Sequence, residues 1–400
     1  MTRVIDFFVE VGEMLLRFVG LGRREASDNP YEGAKRGGMR RMLRWLWPLA
    51  LLFLIAWTAT MIYRFSYWRG VSMDYPQQVL AAFADAPLTD ESTAANGEDG
   101  AQAAGQGTVS TCSHSRTVDM QSHLIDMMVN QNDWVPATPQ YTIGVFGVVE
   151  WAATPYFDNK AAFQSGVLQV VRRFSLDLAD SLGRVRGTSG ADPDLQGAAS
   201  RLRTNERAWV FNNPFDPQLQ LMATSAAASY RGAIGLYNSF NMRLEDCNAL
   251  FDARADNLLR LLDRIAADLG DMNDRLQKRS RAEVWDVNTK TFVPGEGNDA
   301  GWFDFRADNL FHEARGQMYA LHGLLQALRI DFGSAVEAAR LEAVWDRMEA
   351  HVAEGARFNP LIVSNGPLDG IFAPDHLAVM GEKILRARAN MVELRDILEN

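Results

Sequence analysis

An uncharged run of 19 residues, Trp45–Tyr63, constrains the fold of this chain more than any other feature. In a helix that rises about 1.5 Å per residue, such a run nearly spans the hydrocarbon core of a membrane, which is roughly 30 Å thick. We therefore predict one transmembrane helix over residues 43–64, with Pro48 in its first turn. Aromatic side chains, which favour the membrane–water interface, flank it on both sides: Trp45, Trp47, Tyr63, Tyr67 and Trp68.

The basic residues around this run predict its orientation. Two cations follow it closely, Arg64 and Arg69, whereas five precede it: Lys35, Arg36, Arg40, Arg41 and Arg44. By the positive-inside rule, the N-terminus is cytoplasmic and the rest of the chain is exported. A cleaved signal peptide is the alternative. Its apolar run is usually about 7–15 residues long and precedes a cleavage site with small residues, and the sequence lacks both features.

The segment before the span, residues 1–42, is predicted to be cytoplasmic, amphipathic and basic. Residues 4–19 are apolar but contain four charged side chains, so they cannot span a membrane. They form either an amphipathic helix on the inner leaflet or a poorly ordered tail. The following stretch, Gly20–Arg41, is polar and rich in glycine, which predicts a flexible connection.

The segment after the span, residues 65–116, is predicted to contain a juxtamembrane part with a short helix near Pro76–Asp85. It continues as Ala86–Ser115, which consists mainly of small, polar and acidic residues. Such a stretch cannot bury enough apolar surface to become ordered. We therefore predict a disordered linker that separates the body from the membrane.

The charge of the chain is divided unevenly. Residues 1–69 contain 11 basic and 6 acidic residues, whereas the remaining residues contain 29 basic and 44 acidic ones. Neutralising phosphates requires clustered Lys and Arg, so the acidic body argues against nucleic acid as a partner. The chain is 47% hydrophobic over 400 residues, which is enough to bury a substantial core.

From Thr117 onward, apolar residues recur at spacings of three and four, which predicts helices with one buried face. Four such stripes begin at Leu258, Ala314, Leu341 and Leu377. A mean spacing near 3.5 residues keeps one seam towards a neighbouring helix. We therefore predict an all-α fold, in which a single N-terminal transmembrane helix precedes an extracytoplasmic multi-helix bundle with long coiled-coil-like helices over residues 117–400.

Local patterns predict further elements of this body. A helix is predicted over Asp158–Leu182 from its apolar spacing. Ser334 and Glu337 match a capping box, which predicts that a helix begins there. Asp375 is expected to start the last helix. The β-branched and aromatic residues of Val284–Val293 predict a small hairpin.

The chain has two cysteines, Cys112 and Cys247. Their spacing fits no metal motif, and an exported location permits a disulfide between them. Closing a loop of this length would stabilise the chain by about 4–5 kcal/mol in the chain-entropy model. Two unpaired thiols are the alternative. We expect Cys247 to lie on the same long helix as the stripe that begins at Leu258.

Residues 252–259 resemble residues 304–311, and both precede helical stripes. One interpretation is a polar cluster where two related helices pair. The other is a helix face with i,i+4 polar contacts. The residues at equivalent positions are Arg254, Asp256 and Asn257 in the first segment and Arg306, Asp308 and Asn309 in the second.

Known catalytic motifs are missing from the sequence. We find no phosphate loop, no dinucleotide-binding glycine pattern, no CxxC and no HExxH. Asp308 and His312 share a helical face and could orient an imidazole or bind a metal, but a single such pair is more often structural. We therefore predict that the chain is not an enzyme and has no cofactor and no metal site.

Several distributed motifs resemble a known family. They are Asn132-Asp133-Trp134-x-Pro136, Phe157-Asp158-Asn159-x3-Phe163-Gln164-x-Gly166, Asp192-x-Asp194-Leu195 and the later Arg-Ala-Asp-Asn-Leu segment. Together they resemble domain-of-unknown-function family 2333, a family of bacterial inner-membrane proteins. The resemblance covers roughly Trp45–Leu398 and implies an inner-membrane location with a periplasmic body, but no mechanism. The N-terminal helix and the Ala/Gly linker depart from the family pattern.

These observations lead to an expected function. The predicted span, linker and helical stripes favour an envelope scaffold or adaptor that contacts the lipid bilayer and an envelope protein or a second copy of itself. The alternative is a binding module for lipid or another apolar ligand, because helical bundles can open an apolar groove. A cell-wall hydrolase is a third possibility, for which the sequence offers no nucleophile or metal constellation.

Overall fold

The chain folds into two compact units, Met1–Tyr63 and Arg64–Asn400. Its described residues are predominantly helical, as predicted, with two small two-stranded sheets. The predicted amphipathic segment, residues 4–19, lies outside the described residues. The computed structural model describes residues 30–82, 114–138, 140–141, 144, 157–185, 190–209, 224–281, 283–295, 307–366 and 374–399.

Helix α1, Pro30–Ser66, is longer than the predicted span. Its C-terminal part, Pro48–Ser66, is long and apolar enough to cross a membrane, with a mean hydropathy of 1.6. The Thr58 and Thr60 hydroxyls donate to backbone carbonyls four residues earlier, over 2.8 and 2.7 Å. These polar side chains are thus satisfied within the helix, as an apolar solvent requires.

Two expectations about this helix are wrong. Gly20–Arg41 is not all a flexible connection, because α1 already begins at Pro30. The residues just before the apolar run are mostly Arg, Met and Leu, which are strong helix formers and extend the helix upstream. Pro48 consequently lies inside α1 rather than in its first turn, where it removes one main-chain hydrogen bond.

The second unit, here called the body, contains ten α-helices and four strands within the described residues. The helices are α2 (Tyr75–Ala82), α3 (Arg116–Asp126), α4 (Asn159–Asp177), α5 (Pro193–Leu202), α6 (Ala226–Glu245), α7 (Ala255–Ser280), α8 (Ala307–Asp331), α9 (Gly333–Ala338), α10 (Glu342–Arg357) and α11 (His376–Glu399). Helices α3 and α4 continue as π-helical segments, Met127–Gln131 and Leu178–Leu182, and a 3-10 turn covers Val135–Ala137. The strands are β1 (Gly183–Val185), β2 (Ala249–Phe251), β3 (Glu283–Asp286) and β4 (Thr291–Pro294).

Helices α4 and α8 are parallel and lie very close together. Gly166 and Gly316 each face the backbone of the other helix, and a Cβ at either position would overlap a carbonyl group. Farther along, Gln317 Nε2 donates to Gln169 Oε1 over 2.7 Å. The two N-termini therefore lie at one end of the body, which we call the entry end, and we call the opposite end the far end.

Helices α7 and α10 run antiparallel to α4 and α8, whereas α11 runs parallel to them. Helix α10 is antiparallel to α8, because Arg315 Nε near the start of α8 donates to the Ala356 carbonyl near the end of α10. Helix α11 is antiparallel to α7, because Arg395 Nη1 lies 3.1 Å from Asp263 Oδ1. Arg275 near the end of α7 binds Glu313 near the start of α8 over 2.7 Å, so both α7 and α10 end at the entry end.

The predicted apolar stripes form the core. Leu258, Ala314, Leu341 and Leu377, which begin the four stripes, have no exposed surface. The predicted helix from Asp158 is also confirmed, since α4 and its π-helical continuation end at Leu182. Whether the seams pack as a coiled coil stays a prediction.

A helix begins next to Ser334, as predicted, but without the predicted cap. Phe332 is its N-cap residue, and no side chain caps it. Ser334 and Glu337 lie within α9 rather than around its start, so the predicted capping box is wrong. Phe332 is fully buried, and this packing sets the start of the helix. Arg340 has a φ of 54°, in the left-handed region, and separates α9 from α10.

The strands confirm one prediction and correct another. Strands β3 and β4 form the predicted hairpin, with Val284 opposite Val293. Strands β1 and β2 pair antiparallel, which the sequence did not predict. Cys247 follows α6 with a φ of 58°, and β2 separates it from α7. The expectation that Cys247 shares a helix with the Leu258 stripe is therefore wrong, because a left-handed residue ends α6.

Residues 64–82, here called the entry segment, belong to the body. The Tyr75 side chain is 1% exposed, and its hydroxyl donates to the Tyr319 carbonyl over 2.7 Å. Residues 83–113 lie outside the described residues and connect two parts of this one unit. The expectation that Ala86–Ser115 separates the body from the membrane is therefore wrong, because the chain joins the body before it. The predicted disorder stays a prediction.

Candidate functional site

A buried lysine binds the start of the entry segment. Lys160 is 2% exposed, and its Nζ donates to the Arg64 and Tyr67 carbonyls over 2.9 and 2.8 Å. Carbonyls at a helix C-terminus lack intrahelical partners, and a cation there also complements the helix dipole. Burial lowers the pKa of Lys160 to about 8, although the charge of Asp133 opposes the change. Lys160 thus caps α1 from within the body.

Aromatic packing supports this contact. The Trp68 ring meets the Phe163 ring edge-on, with centroids 5.0 Å apart. Lys160 Nζ lies 5.8 Å from the centroid of the Trp68 ring, which adds a cation–π contact. Phe163 also packs against Tyr319, at 5.3 Å. The aromatic face of α4 therefore receives the chain as it leaves α1.

Asn132 pairs with the next part of the entry segment. Its Oδ1 accepts from the Arg69 backbone N–H over 2.8 Å, and its Nδ2 donates to the Arg69 carbonyl over 2.6 Å. The Asn132 side-chain amide thus makes the two hydrogen bonds to Arg69 that the backbone of a neighbouring β-strand would otherwise make. Asn132 itself is buried, and its Nδ2 also donates to the Met127 carbonyl over 3.0 Å, so its orientation is fixed.

The turn that presents Asn132 is fixed by Gln164 of α4. The Gln164 amide donates to the Met128 and Asp133 carbonyls and accepts from the Val135 N–H, over 3.1, 2.7 and 3.0 Å. Asp133 has a φ of 54°, which this turn requires. The π-helical end of α3 and the turn after it therefore form one hydrogen-bonded support for Asn132.

Helix α8 binds the last part of the entry segment. The Tyr319 hydroxyl donates to the Ser72 carbonyl over 3.2 Å, and His322 Nε2 lies 3.1 Å from the Met73 carbonyl. The Tyr75 ring stacks on Tyr319, with centroids 4.6 Å apart. A Cβ at Gly323 would overlap this Tyr75 ring. The glycine thus allows α2 to lie directly on α8.

These side chains form what we call the entry site: Asn132, Lys160, Phe163, Gln164, Tyr319 and His322. Three of them belong to the motifs that carry the family resemblance. Part of the resemblance therefore lies on the surface that binds the chain just after α1.

Beside the entry site, two buried acids lie near each other. Asp158 is fully buried at the start of α4, and Asp308 is 4% exposed at the start of α8. Burial and the charge of Asp308 raise the pKa of Asp158 to about 8. A side-chain hydrogen bond from Asn309 opposes this change without cancelling it. Asp158 is therefore largely protonated at neutral pH.

The predicted pair of Asp308 and His312 lies in this region. Burial, together with the charge of Arg315, lowers the pKa of His312 to about 3. The imidazole is therefore neutral at physiological pH. No group of three or more His, Cys, Asp or Glu side chains that could bind a metal ion occurs in the described part of the chain.

A cleft of about 470 Å³ opens between α4, α7 and α8. Ion pairs join the neighbouring helices around it: Arg173 binds Asp268 over 2.8 Å, and Arg275 binds Glu313 over 2.7 Å. Its apolar lining consists of Val170, Phe174, Leu176, Ile265, Leu269, Met272 and Leu321. An apolar floor with charges of both signs at the rim suits an amphipathic molecule.

The far end contains the predicted disulfide region. The described residues contain no free cysteine, but Cys112 lies outside them, so its pairing with Cys247 stays a prediction. Geometry favours it: His114 Nδ1 lies 2.5 Å from Glu245 Oε1. Each of these two residues is two positions from one of the cysteines, so the two parts of the chain meet there.

The predicted membrane-interface residues and topology cations are only partly described. Tyr63 and Tyr67 are exposed, whereas Trp68 packs on Phe163 within the body. The backbone that carries Trp45, Trp47, Lys35, Arg36, Arg40, Arg41 and Arg44 is helical, and their side chains are not described. Their roles at the membrane stay predictions.

The echoed segments occupy different environments. Asp256 is exposed and forms an i,i+4 ion pair with Arg260 over 3.2 Å, and Arg254 lies 2.8 Å from Asp252. Asn257 donates to the Asp252 carbonyl. The equivalent residues Asp308 and Asn309 are buried or half-buried beside Asp158. Arg306 lies outside the described residues. Because α7 ends and α8 begins at the entry end, the two segments lie at opposite ends of the body, so the predicted cluster of both is wrong. The pair of Asp256 and Arg260 fits the alternative of i,i+4 contacts.

Sequence reasoning missed the entry site. The motif positions of Asn132 and Gln164 were visible, but their partners lie 63 and 31 residues away. Lys160 carried no signal at all, because nothing local distinguishes a capping lysine from a solvated one. One hint was available: Asn132 and Gln164 are polar, but their neighbours in sequence show the apolar spacing of a buried helix face.

Residues 151–400 match the family described as uncharacterized protein conserved in bacteria, domain-of-unknown-function family 2333. The match covers more than half of the chain and confirms the resemblance over that range. The Asn132–Pro136 motif lies before the matched range. No curated protein and no solved structure matches the chain.

Proposed function

We propose that this chain, which belongs to domain-of-unknown-function family 2333 of bacteria, is a single-pass inner-membrane protein whose periplasmic body acts as an envelope scaffold or adaptor. The entry site carries the proposal. Because Lys160 and Asn132 bind residues 64–69, the body begins directly after the apolar helix. A scaffold at a membrane needs a firm connection to its anchor, and the contacts at residues 64–69 support this proposal.

We further propose that the body is not an enzyme. Among the groups with strongly shifted pKa values, Asp158, Lys160 and His312 are exposed by only 0, 2 and 6%. A substrate would have to displace packed helices to reach them. Their positions support a role in binding α4, α8 and the entry segment to one another.

Topology is tested first, with reporter fusions to the full chain. A periplasm-dependent phosphatase placed after Asn400 should be active, whereas one placed before Trp45 should be inactive, because the positive-inside rule predicts an exported body. The reverse pattern would contradict the periplasmic assignment. Loss of the chain from the membrane fraction after alkaline extraction would contradict the anchor itself.

The scaffold role is tested by partner capture. Crosslinking in intact cells, followed by purification in mild detergent, should yield a defined oligomer or a recurring envelope protein. The matched control carries the same residues 1–66 fused to an unrelated periplasmic domain, and it should capture neither. A monomer with no partner above this control would contradict the scaffold proposal.

The cleft between α4, α7 and α8 supports a second candidate, a binding module for an amphipathic envelope molecule. Its apolar floor and charged rim are the observations in its favour. Native mass spectrometry of the gently extracted chain should show a bound lipid or similar molecule. The variant Leu176→Trp should reduce the bound fraction, because the larger ring fills the cleft, whereas Leu385→Trp on exposed α11 should not. A chain without any adduct would contradict this candidate.

A further inference from the structure

Two connections of the body expose large apolar side chains. Trp285 and Phe292 form a cross-strand pair on the β3–β4 hairpin, with centroids 5.1 Å apart, and are 50 and 67% exposed. Leu361 and Ile362, between α10 and α11, are 93 and 75% exposed. Large apolar side chains exposed close together can mark an interaction site. We call these four residues together with Val287 the end patch.

The two parts of the end patch lie at the same place in the bundle. The hairpin directly follows α7, whose last turn contains Arg279. Asn365 Nδ2, three residues after Ile362, donates to the Arg279 carbonyl over 3.0 Å. The hairpin and the α10–α11 connection therefore leave the bundle side by side.

This place is the entry end. The Phe358 ring after α10 lies 5.3 Å from the Phe311 ring in the first turns of α8. The charge of Asp308, at the start of α8, acts on Asp158, two residues before Lys160. Lys160 in turn binds the Arg64 carbonyl. The end patch thus shares one end of the body with the first residues after the apolar helix.

We propose that the end patch lies in the interface of the lipid bilayer, as a second membrane contact beside the point where the chain enters the body. This inference rests on the proposed membrane anchor. Because residues 64–69 bind at the entry end, the chain passes from the apolar helix into the body there. Trp and Phe favour the interface, and exposed Arg281 and Lys290 flank the patch where lipid phosphates would lie.

A photoreactive benzophenone side chain tests this contact in the full-length chain, reconstituted in nanodiscs of phosphatidylethanolamine and phosphatidylglycerol. It replaces Phe292 or Leu361 in separate variants. After irradiation, mass spectrometry should find lipid adducts at both positions. The control position is Met242 on α6, which is 59% exposed and lies near the far end. We expect about tenfold less lipid adduct there, because interfacial insertion reaches only about 5–10 Å into the membrane.

A fourth variant separates this proposal from the one on which it rests. Benzophenone at Phe53, in the apolar part of α1, should form lipid adducts if the anchor is in the bilayer. Adducts at Phe53 without adducts at Phe292 and Leu361 would overturn the end-patch proposal and leave the anchor intact. Absence of lipid adducts at all positions would overturn both. Adducts from Phe292 to protein, a second copy included, would show a protein interface and overturn the lipid proposal.

Discussion

The two ends of the body close helix termini with opposite charges. At the far end, the Asp331 carboxylate accepts hydrogen bonds from Ser115 Oγ and from the Arg116 and Thr117 N–H groups, over 2.8–2.9 Å. At the entry end, Lys160 donates to the last carbonyls of α1 and its extension. Each charge complements the dipole of the helix end it binds.

The difference lies in what surrounds these caps. Burial raises the pKa of Asp331 and lowers that of Lys160, so each charge is retained at a cost in stability. At the far end the cap adjoins the predicted disulfide, and large exposed apolar residues are limited to scattered ones such as Met242 and Ile330. The entry end instead exposes the end patch. The comparison indicates that the far end stabilises the bundle, whereas the entry end exposes apolar surface.

The prediction with the largest expected effect tests whether the far end stabilises the body. Cys247→Ser should lower the free energy of unfolding by about 4–5 kcal/mol in the chain-entropy model, if Cys112 is its partner. Differential scanning calorimetry of the oxidised protein, with and without reductant, measures this loss. The double variant with Cys112→Ser should lose no more than the single one. Thiols that react readily in the native oxidised chain would contradict the disulfide.

Removing the far-end cap should have the next largest effect. Asp331→Ala leaves three donors at the start of α3 without their acceptor, so we expect a loss of about 3 kcal/mol in chemical denaturation. Asp331→Asn keeps one acceptor oxygen and should lose less. Equal losses in both variants would show that packing, rather than hydrogen bonding, makes this residue important.

Removing the entry-end cap should lower the free energy of unfolding by less, and its effect should be local. Lys160→Met keeps the volume but leaves two carbonyls without a donor, which we expect to cost about 2 kcal/mol. Hydrogen exchange should accelerate mainly in residues 64–82. The control Lys383→Met removes a solvent-exposed ion pair with Glu354 and should change stability by less than about 1 kcal/mol. A global loss of protection would erase the contrast between the two ends.

The last prediction concerns the slope of stability with pH rather than a loss at one pH. The folded pKa of Asp158 is raised, so its contribution is fully present below the unfolded value of 3.8 and is lost as pH rises through about 8. Asp158→Asn should therefore reduce this loss, by up to about 1.4 kcal/mol per pH unit. Denaturation midpoints between pH 5 and 8 measure the slope. Asp256→Asn, on the surface, should leave the slope of the unmodified chain unchanged.

The helices could be predicted from the sequence because a helix with one buried face has apolar residues at regular, local spacings. The stripes from Leu258, Ala314, Leu341 and Leu377 needed only spacings of three and four, and so did α4. The capping box at Ser334 failed because Phe332, a buried side chain, sets the start of α9. A local motif was overruled by tertiary packing.

The candidate site could not be predicted, because its contacts are distant in sequence. Lys160 reaches the Arg64 carbonyl across 96 residues, and Asn132 reaches Arg69 across 63. The end patch had the same difficulty: Trp285 and Leu361 gave no sign of lying at one end until the directions of α7, α8, α10 and α11 were known. Composition alone assigned residues 65–116 to the outside of the body.

The bond between Tyr75 and Tyr319 has a consequence for biosynthesis, because it joins residues 244 positions apart. At a translation rate of about 5–20 residues per second, α2 emerges some tens of seconds before α8 can receive it. During that time the entry segment can bind only its earlier partners, such as Asn132 and Lys160, and it lacks the contacts of α8. The packing of α8 on the entry segment is therefore a late step of folding. Slowing translation between the two should prolong the sensitivity of residues 64–82 to an added protease.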